Sequence, residues 1–186
     1  MNDILEENWN GSVLKTPSGW KGLERVIRPI IKKYNLKTES ALEFGVDTGY
    51  SLHILSQIFK DVTGVDKFES DVHINHEQGE TFFNEIKQKF NNTNTKLVKA
   101  DFREYIKSDS NYYDLIHVDI VHLYKETFEC AEWSIKHADV VLIHDTTSFP
   151  DMNRVCRDIA TKYNLEYNNS IQRYNGLGIL AKKRVF

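Results

Sequence analysis

Cysteine is scarce in this 186-residue chain: Cys130 and Cys156 are the only two, and both fall among apolar helical positions. That excludes a disulfide framework or a cysteine metal site and predicts two buried free thiols. Long apolar runs are missing as well, since no stretch approaches the roughly 18 apolar residues that span a bilayer. The opening MNDILEENWNGSVLK has neither the positive start nor the apolar core of a secretory leader. A soluble, cytoplasmic protein without a membrane partner is expected. Basic blocks are equally rare. The longest is Lys182-Lys183-Arg184 and the formal net charge is -3, so nucleic acid is not an expected partner. With no internal repeat and no low-complexity linker, residues 1–186 read as one domain with room for a real core. Residues 1–20, carrying Trp9 and Trp20 without sustained periodicity, read as an irregular arm laid over the fold.

Also lacking is the dinucleotide signature G-x-G-x-x-G. In its place stands ALEFGVDTGYS, residues 41–51, with the spacing Glu43-x-Gly45-x-x-x-Gly49. Ala41, Leu42 and Phe44 predict a buried strand, the two glycines a tight turn, and the apolar-periodic run from Leu52 to Phe59 a helix. Glycines let the backbone approach a ligand closely, and a helix start offers N–H groups to an anion. An acid just before the first glycine repels a pyrophosphate. It suits a small ligand with an ammonium group beside a carboxylate, which disfavours a nicotinamide oxidoreductase.

Along the rest of the chain, strands alternate with amphipathic helices. A helix over 21–34 precedes the first strand. Val62 to Val65 ends in Asp66, 23 residues beyond Glu43, where a βαβ fold places a carboxylate for ribose hydroxyls; a solvated loop acid or helix cap is the alternative. The polar loop 67–79 carries His73 and His76, which either line a substrate pocket, bind metal, or are merely solvated. Helix 80–90 leads to strand 96–100 and Asp101-Phe102, an acid for an adenine amino group and an aromatic either over the ring or in the core. Strand 113–118 ends in Asp119, followed by His122 and helix 123–135; strand 140–143 ends in His144-Asp145, followed by helix 151–163. A strand near 166–174, an Asn175-Gly176 turn and a strand over 177–182 predict a closing hairpin. The sum is a three-layer α/β sandwich with a mostly parallel seven-stranded sheet and an antiparallel C-terminal hairpin. Glu43, Asp66, Asp101, Asp119 and Asp145 all fall at strand carboxyl ends, where such sheets bind ligands. Together they predict a rim for a cationic, hydroxyl-rich molecule.

The glycine loop resembles the first motif of class I S-adenosylmethionine (SAM) methyltransferases. GVDKFESDVHINHEQGETFFNEI and DLIHVDIVHLYKETFECAEW with VVLIHDT are similar to one Rossmann-like branch, methyltransferase family 24, whose members O-methylate sugars and other small hydroxylated molecules. The resemblance runs from about Leu42 to Lys182. It implies SAM as cofactor, held by Glu43, Gly45, Gly49 and Ser51 at the methionine end, Asp66 and Lys67 at the ribose, and Asp101 and Phe102 at the adenine. Asp119, His122, His144 and Asp145 fall on the family's active-site tips. Ile120 replaces a customary glycine, Val121 an acid found in some relatives, and 136–139 lacks the usual glycine before strand five.

Methyl transfer is an in-line displacement that mainly needs orientation, and a hydroxyl acceptor must also lose its proton. His122 is the expected general base, with capping of the following helix as its alternative, and His144 is a second candidate. Asp119 and Asp145 end strands expected to be adjacent, about 4.8 Å apart. They would share a proton or a cation such as Mg²⁺ or another divalent ion, unless Asp119 contacts the methionine ammonium. Two other classes stay open. One is a SAM-binding protein without methyl transfer; the other is an iron oxygenase built on His117-x-Asp119, against which His117 is expected to point away from the strand-end site.

Overall fold

The computed structural model describes residues 20–70 and 77–183. The order of elements is α1 (Glu24–Tyr34), β1 (Ser40–Phe44), α2 (Tyr50–Ser56), β2 (Asp61–Asp66), α3 (Glu80–Lys89), β3 (Thr95–Lys99) and α4 (Phe102–Ser108). It continues with β4 (Tyr113–Val118), α5 (Tyr124–His137), β5 (Ala138–His144), α6 (Pro150–Tyr163), β6 (Leu165–Ile171) and β7 (Leu177–Lys182). The seven strands form one sheet in the order β3-β2-β1-β4-β5-β7-β6. β1 to β5 pair in parallel, while β7 runs antiparallel to both β5 and β6. The expected three-layer architecture is therefore the one observed.

Strand alternation sorts the core into two layers. Ala41, Leu115, Val140 and Leu142 pack under α1, α2 and α3, against Ile27, Leu52, Leu55 and Ile86. Leu42, Phe44, Ile116, Val118 and Ile143 pack against α4, α5 and α6, through Phe102, Ala131, Val155 and Ile159. Cys130 and Cys156 are free and buried in this second layer. β4 sits mid-sheet with all six residues buried; its two polar residues are partnered, Asp114 by the N–H groups of Glu39 and Ser40 and His117 by Glu43. Among the described residues no helix is long and apolar enough to cross a membrane.

Several boundaries move. The first crossover helix begins at Tyr50 and ends at Ser56, earlier at both ends than its apolar period suggests, because Gly49 with φ 84° serves as its N-cap. The hairpin is longer than a two-residue Asn-Gly link. β6 stops at Ile171, and Tyr174, Asn175 and Gly176 all take positive φ. The tip is held elsewhere: the Asn175 carbonyl accepts the N–H groups of Thr147 and Ser148 at 2.9 and 3.1 Å. The arm over residues 1–19 lies outside the described residues.

Helix α2 is buried on every side, and it carries His53, whose pKa burial pulls down to about 4. An unfolded histidine titrates near 6.5, so the neutral folded ring favours folding fully above about pH 6.5. That contribution fades as the pH falls towards 4, by on the order of 2–3 kcal/mol. Unfolding free energies measured between pH 7 and 4 are expected to fall less steeply for His53→Leu than for the parent. Parallel curves would contradict this.

Candidate active site

The sheet reverses its order between β1 and β4, and ligands of such sheets bind outside the strand ends at that point. Here the two exits are pressed together. Asp119 donates its N–H to the Phe44 carbonyl at 2.8 Å, and Gly45 donates to Val65 at 2.9 Å. Gly45 has φ 86°, and a Cβ there would lie 1.8 Å from the Asp119 carbonyl oxygen. A Cβ on Gly49 would meet the Phe90 ring at 2.8 Å. Both glycines thus serve the protein's own close packing, in addition to any approach of a ligand.

The five acids have separate tasks. Glu43 lies inside β1 beside its register partner His117 on β4, with side chains 0% and 2% exposed. His117 Nδ1 and Glu43 Oε1 are 2.7 Å apart. Burial pushes the Glu43 carboxyl up, and His117 offsets part of that. Ser51, near the start of α2, is buried. Asp66, the last residue of β2, accepts the N–H groups of Val46 and Asp47 at 2.7 and 2.9 Å and of Phe68 at 2.7 Å. It pins the glycine loop from below and keeps about one of its roughly four lone-pair sites for another donor. Asp101 is the N-cap of α4, accepting from Arg103 N–H at 2.7 Å and pairing with Lys67 at 2.6 Å. Burial works against its charge, but Lys67 and the Arg103 N–H hold its pKa below the usual value. Phe102 points into the core, edge-on to Phe44 at 6.3 Å, so of its two expected settings the core is the one observed.

The remaining two acids meet two histidines. Asp119 follows β4, His144 ends β5, Asp145 comes next, and His122 stands before α5. His144 Nδ1 is 2.8 Å from Asp119 Oδ1, and His122 Nε2 is 2.6 Å from Asp145 Oδ2. Longer approaches close the circuit, His122 Nε2 to Asp119 Oδ1 at 3.9 Å and His144 Nε2 to Asp145 Oδ1 at 3.5 Å. Carboxylates and imidazoles alternate. Burial disfavours the charges of Asp119, His122 and His144, yet the opposite charges win: His144 and His122 hold Asp119 well below the carboxylate range. His122 is raised to about 9 by Asp119 and Asp145, and His144 is raised chiefly by Asp119. Asp145 takes φ 61°, a sparsely populated conformation for a side-chain-bearing residue. The four residues offer donor atoms within 4.8 Å of one another, so Asp119 and Asp145 are brought together as a cation site would need.

Two expectations change. His117 does not point away from the strand-end site: residues 117 and 119 share parity along the strand, and the His117 ring lies 6.4 Å from that of His144 on the same face. Its Nδ1 is engaged with Glu43 rather than with Asp119, so His117-x-Asp119 does not assemble as an iron triad. The aromatic walls were not foreseen. Trp20 lies 4.2 Å from His144 and 5.3 Å from Tyr174, while Phe149 stacks on His122 at 4.2 Å. Trp20 thereby brings the end of the arm over the cluster. His73 and His76 lie outside the described residues.

Residues 42–146 match the family of methyltransferase domains. No curated protein matches the chain. Among solved structures, the SAH-bound methyltransferase PaMTH1 of Podospora anserina is similar over 99% of this chain and 89% of its own, with a TM-score of 0.67 and 12% identity. The O-methyltransferase TomG of Streptomyces achromogenes, involved in tomaymycin synthesis and solved with SAM, is similar over 88% and 81%, with a TM-score of 0.63 and 11% identity. An O-methyltransferase of Bacillus cereus in complex with SAH is similar over 86% and 80%, at 0.60 and 14%. At such identities the likeness is one of fold.

Proposed function

Because the chain belongs to the class I SAM-dependent methyltransferases, with a methyltransferase domain over residues 42–146, we propose that it transfers the methyl group of SAM to a hydroxyl of a small acceptor, a sugar or similar polyol. The observation that carries this reading is the juxtaposition at the β1–β4 switch point. A glycine loop anchored by Asp66 stands directly beside a cluster of two carboxylates and two imidazoles. Glu43, Gly45, Gly49 and Ser51 are assigned to the methionine end of SAM, Asp66 and Lys67 to the ribose, and Asp101 to the adenine amino group. The backbone carbonyl of Asp119 lies against Gly45, and Asp119 is also assigned to the methionine end.

The acceptor is assigned to the cluster. Orientation of its oxygen behind the methyl group can contribute roughly 7–11 kcal/mol. The carboxylates of Asp119 and Asp145 accept hydrogen bonds from hydroxyl donors, and Trp20 and Phe149 limit water. His122 takes the acceptor's proton in its neutral form. With a pKa of about 9, that form is only about one molecule in a hundred at pH 7, so the carboxylates that orient the ring also oppose its discharge. A divalent cation fits Asp119 and Asp145, whose donors converge with a buried oxygen of Asp145 left without a hydrogen bond. When bound it would lower the pKa of the acceptor hydroxyl and favour neutral His122.

The cofactor assignment is tested at Asp66. Asp66→Ala removes both the ribose acceptor and the anchor of Val46 and Asp47. Hydrogen bonds to a charged group contribute about 1.5–3 kcal/mol, so SAH affinity by calorimetry is expected to fall by roughly 10- to 150-fold. Unchanged affinity would remove the ribose assignment. Mass spectrometry of a panel of hydroxylated compounds incubated with SAM tests the acceptor class; a gain of one methyl on an oxygen is the expected product.

A further inference from the structure

The outer face of α1 is basic along its length. Six of the seventeen residues from Lys21 to Lys37 are basic and only Glu24 is acidic, in a chain whose formal net charge is -3. No block of consecutive cations marks this face, because the spacing is helical. Arg25, Arg28 and Lys32 follow at intervals of three and four, which puts them on one side of the helix, and all three are exposed. Ile27, Ile30 and Tyr34 take the opposite side into the core. Glu24 is buried, 3.7 Å from Arg25, and Lys33, off the line, is paired with Glu166.

This stripe begins at the cluster. Trp20 lies 4.2 Å from His144 and 5.3 Å from Tyr174. The Tyr174 hydroxyl donates to the Lys21 carbonyl at 3.3 Å, and Arg173 Nη2 lies 3.9 Å from where a Cβ on Gly22 would stand. Lys21 and Arg173, both exposed, therefore continue the line back to the indole that covers His144. In the other direction the eleven residues of α1 carry it about 16 Å towards the edge where β1 starts.

We infer that Arg173, Lys21, Arg25, Arg28 and Lys32 form a docking track for an acidic glycan, an oligosaccharide bearing carboxylate, sulfate or phosphate groups, whose reacting sugar lies at the cluster. Which end of the chain reacts rests on the methyltransferase reading; the track rests on the charge and length of the stripe. A single free sugar at the cluster would leave Arg28 and Lys32 without a role, whereas an extended polyanion meets all five cations. Nucleic acid is the other polyanion of such length, but single strands are gripped by stacking bases on aromatic side chains as well as by charge. The exposed positions of α1 are Arg25, Arg28, Pro29, Lys32 and Lys33, none of them aromatic. Exposed ion pairs contribute little one by one, but a row of one sign also steers an oppositely charged chain, and salt screens that attraction.

The test titrates the full chain, at low and at physiological salt, with fluorescently labelled hexasaccharides and follows their anisotropy. One probe is a carboxylated oligogalacturonate, one a sulfated heparin fragment and one neutral maltohexaose; a single-stranded hexaribonucleotide represents the other class of polyanion. An acidic hexasaccharide is expected to bind at least about tenfold more tightly than the neutral one at low salt and less tightly as salt rises; the better of the two acids identifies the anionic group. Arg28→Glu combined with Lys32→Glu is expected to weaken that binding roughly tenfold with SAH affinity by calorimetry unchanged. Lys87→Glu combined with Lys96→Glu, the same change of net charge on α3 and β3, is expected to leave it as it is. Equal binding of acidic and neutral hexasaccharides, tighter binding of the ribonucleotide, or equal losses from the two double variants would overturn the inference. Parent protein that binds the acidic hexasaccharide but not SAH would contradict the methyltransferase reading while upholding the track.

Discussion

Gly45→Ala is expected to lower the unfolding free energy by about 2–5 kcal/mol, a large share of the roughly 5–15 kcal/mol that a domain commonly has. Two costs add. A left-handed backbone costs a residue with a Cβ about 1–2 kcal/mol, and Gly45 sits at φ 86°. The new methyl would also lie 1.8 Å from the carbonyl oxygen of Asp119 and 2.6 Å from its carbon, and overpacking costs typically about 1–3 kcal/mol. Neither atom belongs to a flexible side chain. The Asp119 N–H is bonded to Phe44, and Gly45 is bonded to Val65, so relief requires prising β4 from β1 at the switch point. Denaturant titration is expected to show a lower midpoint with an unchanged slope. A midpoint equal to the parent's would show that the two exits are not in contact.

The second large effect is on turnover. His122→Ala is expected to reduce the rate of methyl transfer roughly 10²- to 10⁴-fold, the usual contribution of a positioned base, while leaving SAH affinity unchanged. The separation of the two readouts follows from place. His122 pairs with Asp145 and stacks on Phe149, neither of which is assigned to the cofactor. Single-turnover rates with saturating SAM, beside calorimetry with SAH, measure both quantities. Normal turnover would exclude His122 as the base, and a parallel loss of SAH affinity would place it with the cofactor instead.

What was legible in the sequence follows the physics of each element. β4 and β7 were read to the residue, because each is a mainly apolar stretch bounded by polar or turn residues, as a strand buried on both faces shows. The α2 boundaries were not, because Tyr50 and Ser51 read as turn residues although Gly49 already caps the helix. The Asn175-Gly176 turn was correctly placed but read too short. Its length is set by bonds to Thr147 and Ser148, contacts that no local pattern reveals. Within the site, the order of acids along the strand ends was visible, and donor atoms of Asp119, His122, His144 and Asp145 lie within 4.8 Å of one another. Their separate uses were not. The Glu43–His117 pair depends on β1 lying beside β4, a crossover fixed by the whole sheet. The parity of His117 with Asp119 was there to be counted and should have placed the ring on the cluster's side of the sheet. Trp20 and Phe149 reach the cluster from separate loops, and only tertiary structure brings them there.

The central claim is that the carboxyl edge of β1 and β4 holds SAM with its sulfur turned towards the histidine–carboxylate cluster. A crystal structure of the protein with SAH measures this directly. The account predicts ribose hydroxyls on Asp66, the amino-acid end along residues 43–51, and the sulfur facing Asp119 and His122; SAH bound on another face, or bound with its sulfur turned away from the cluster, would contradict it.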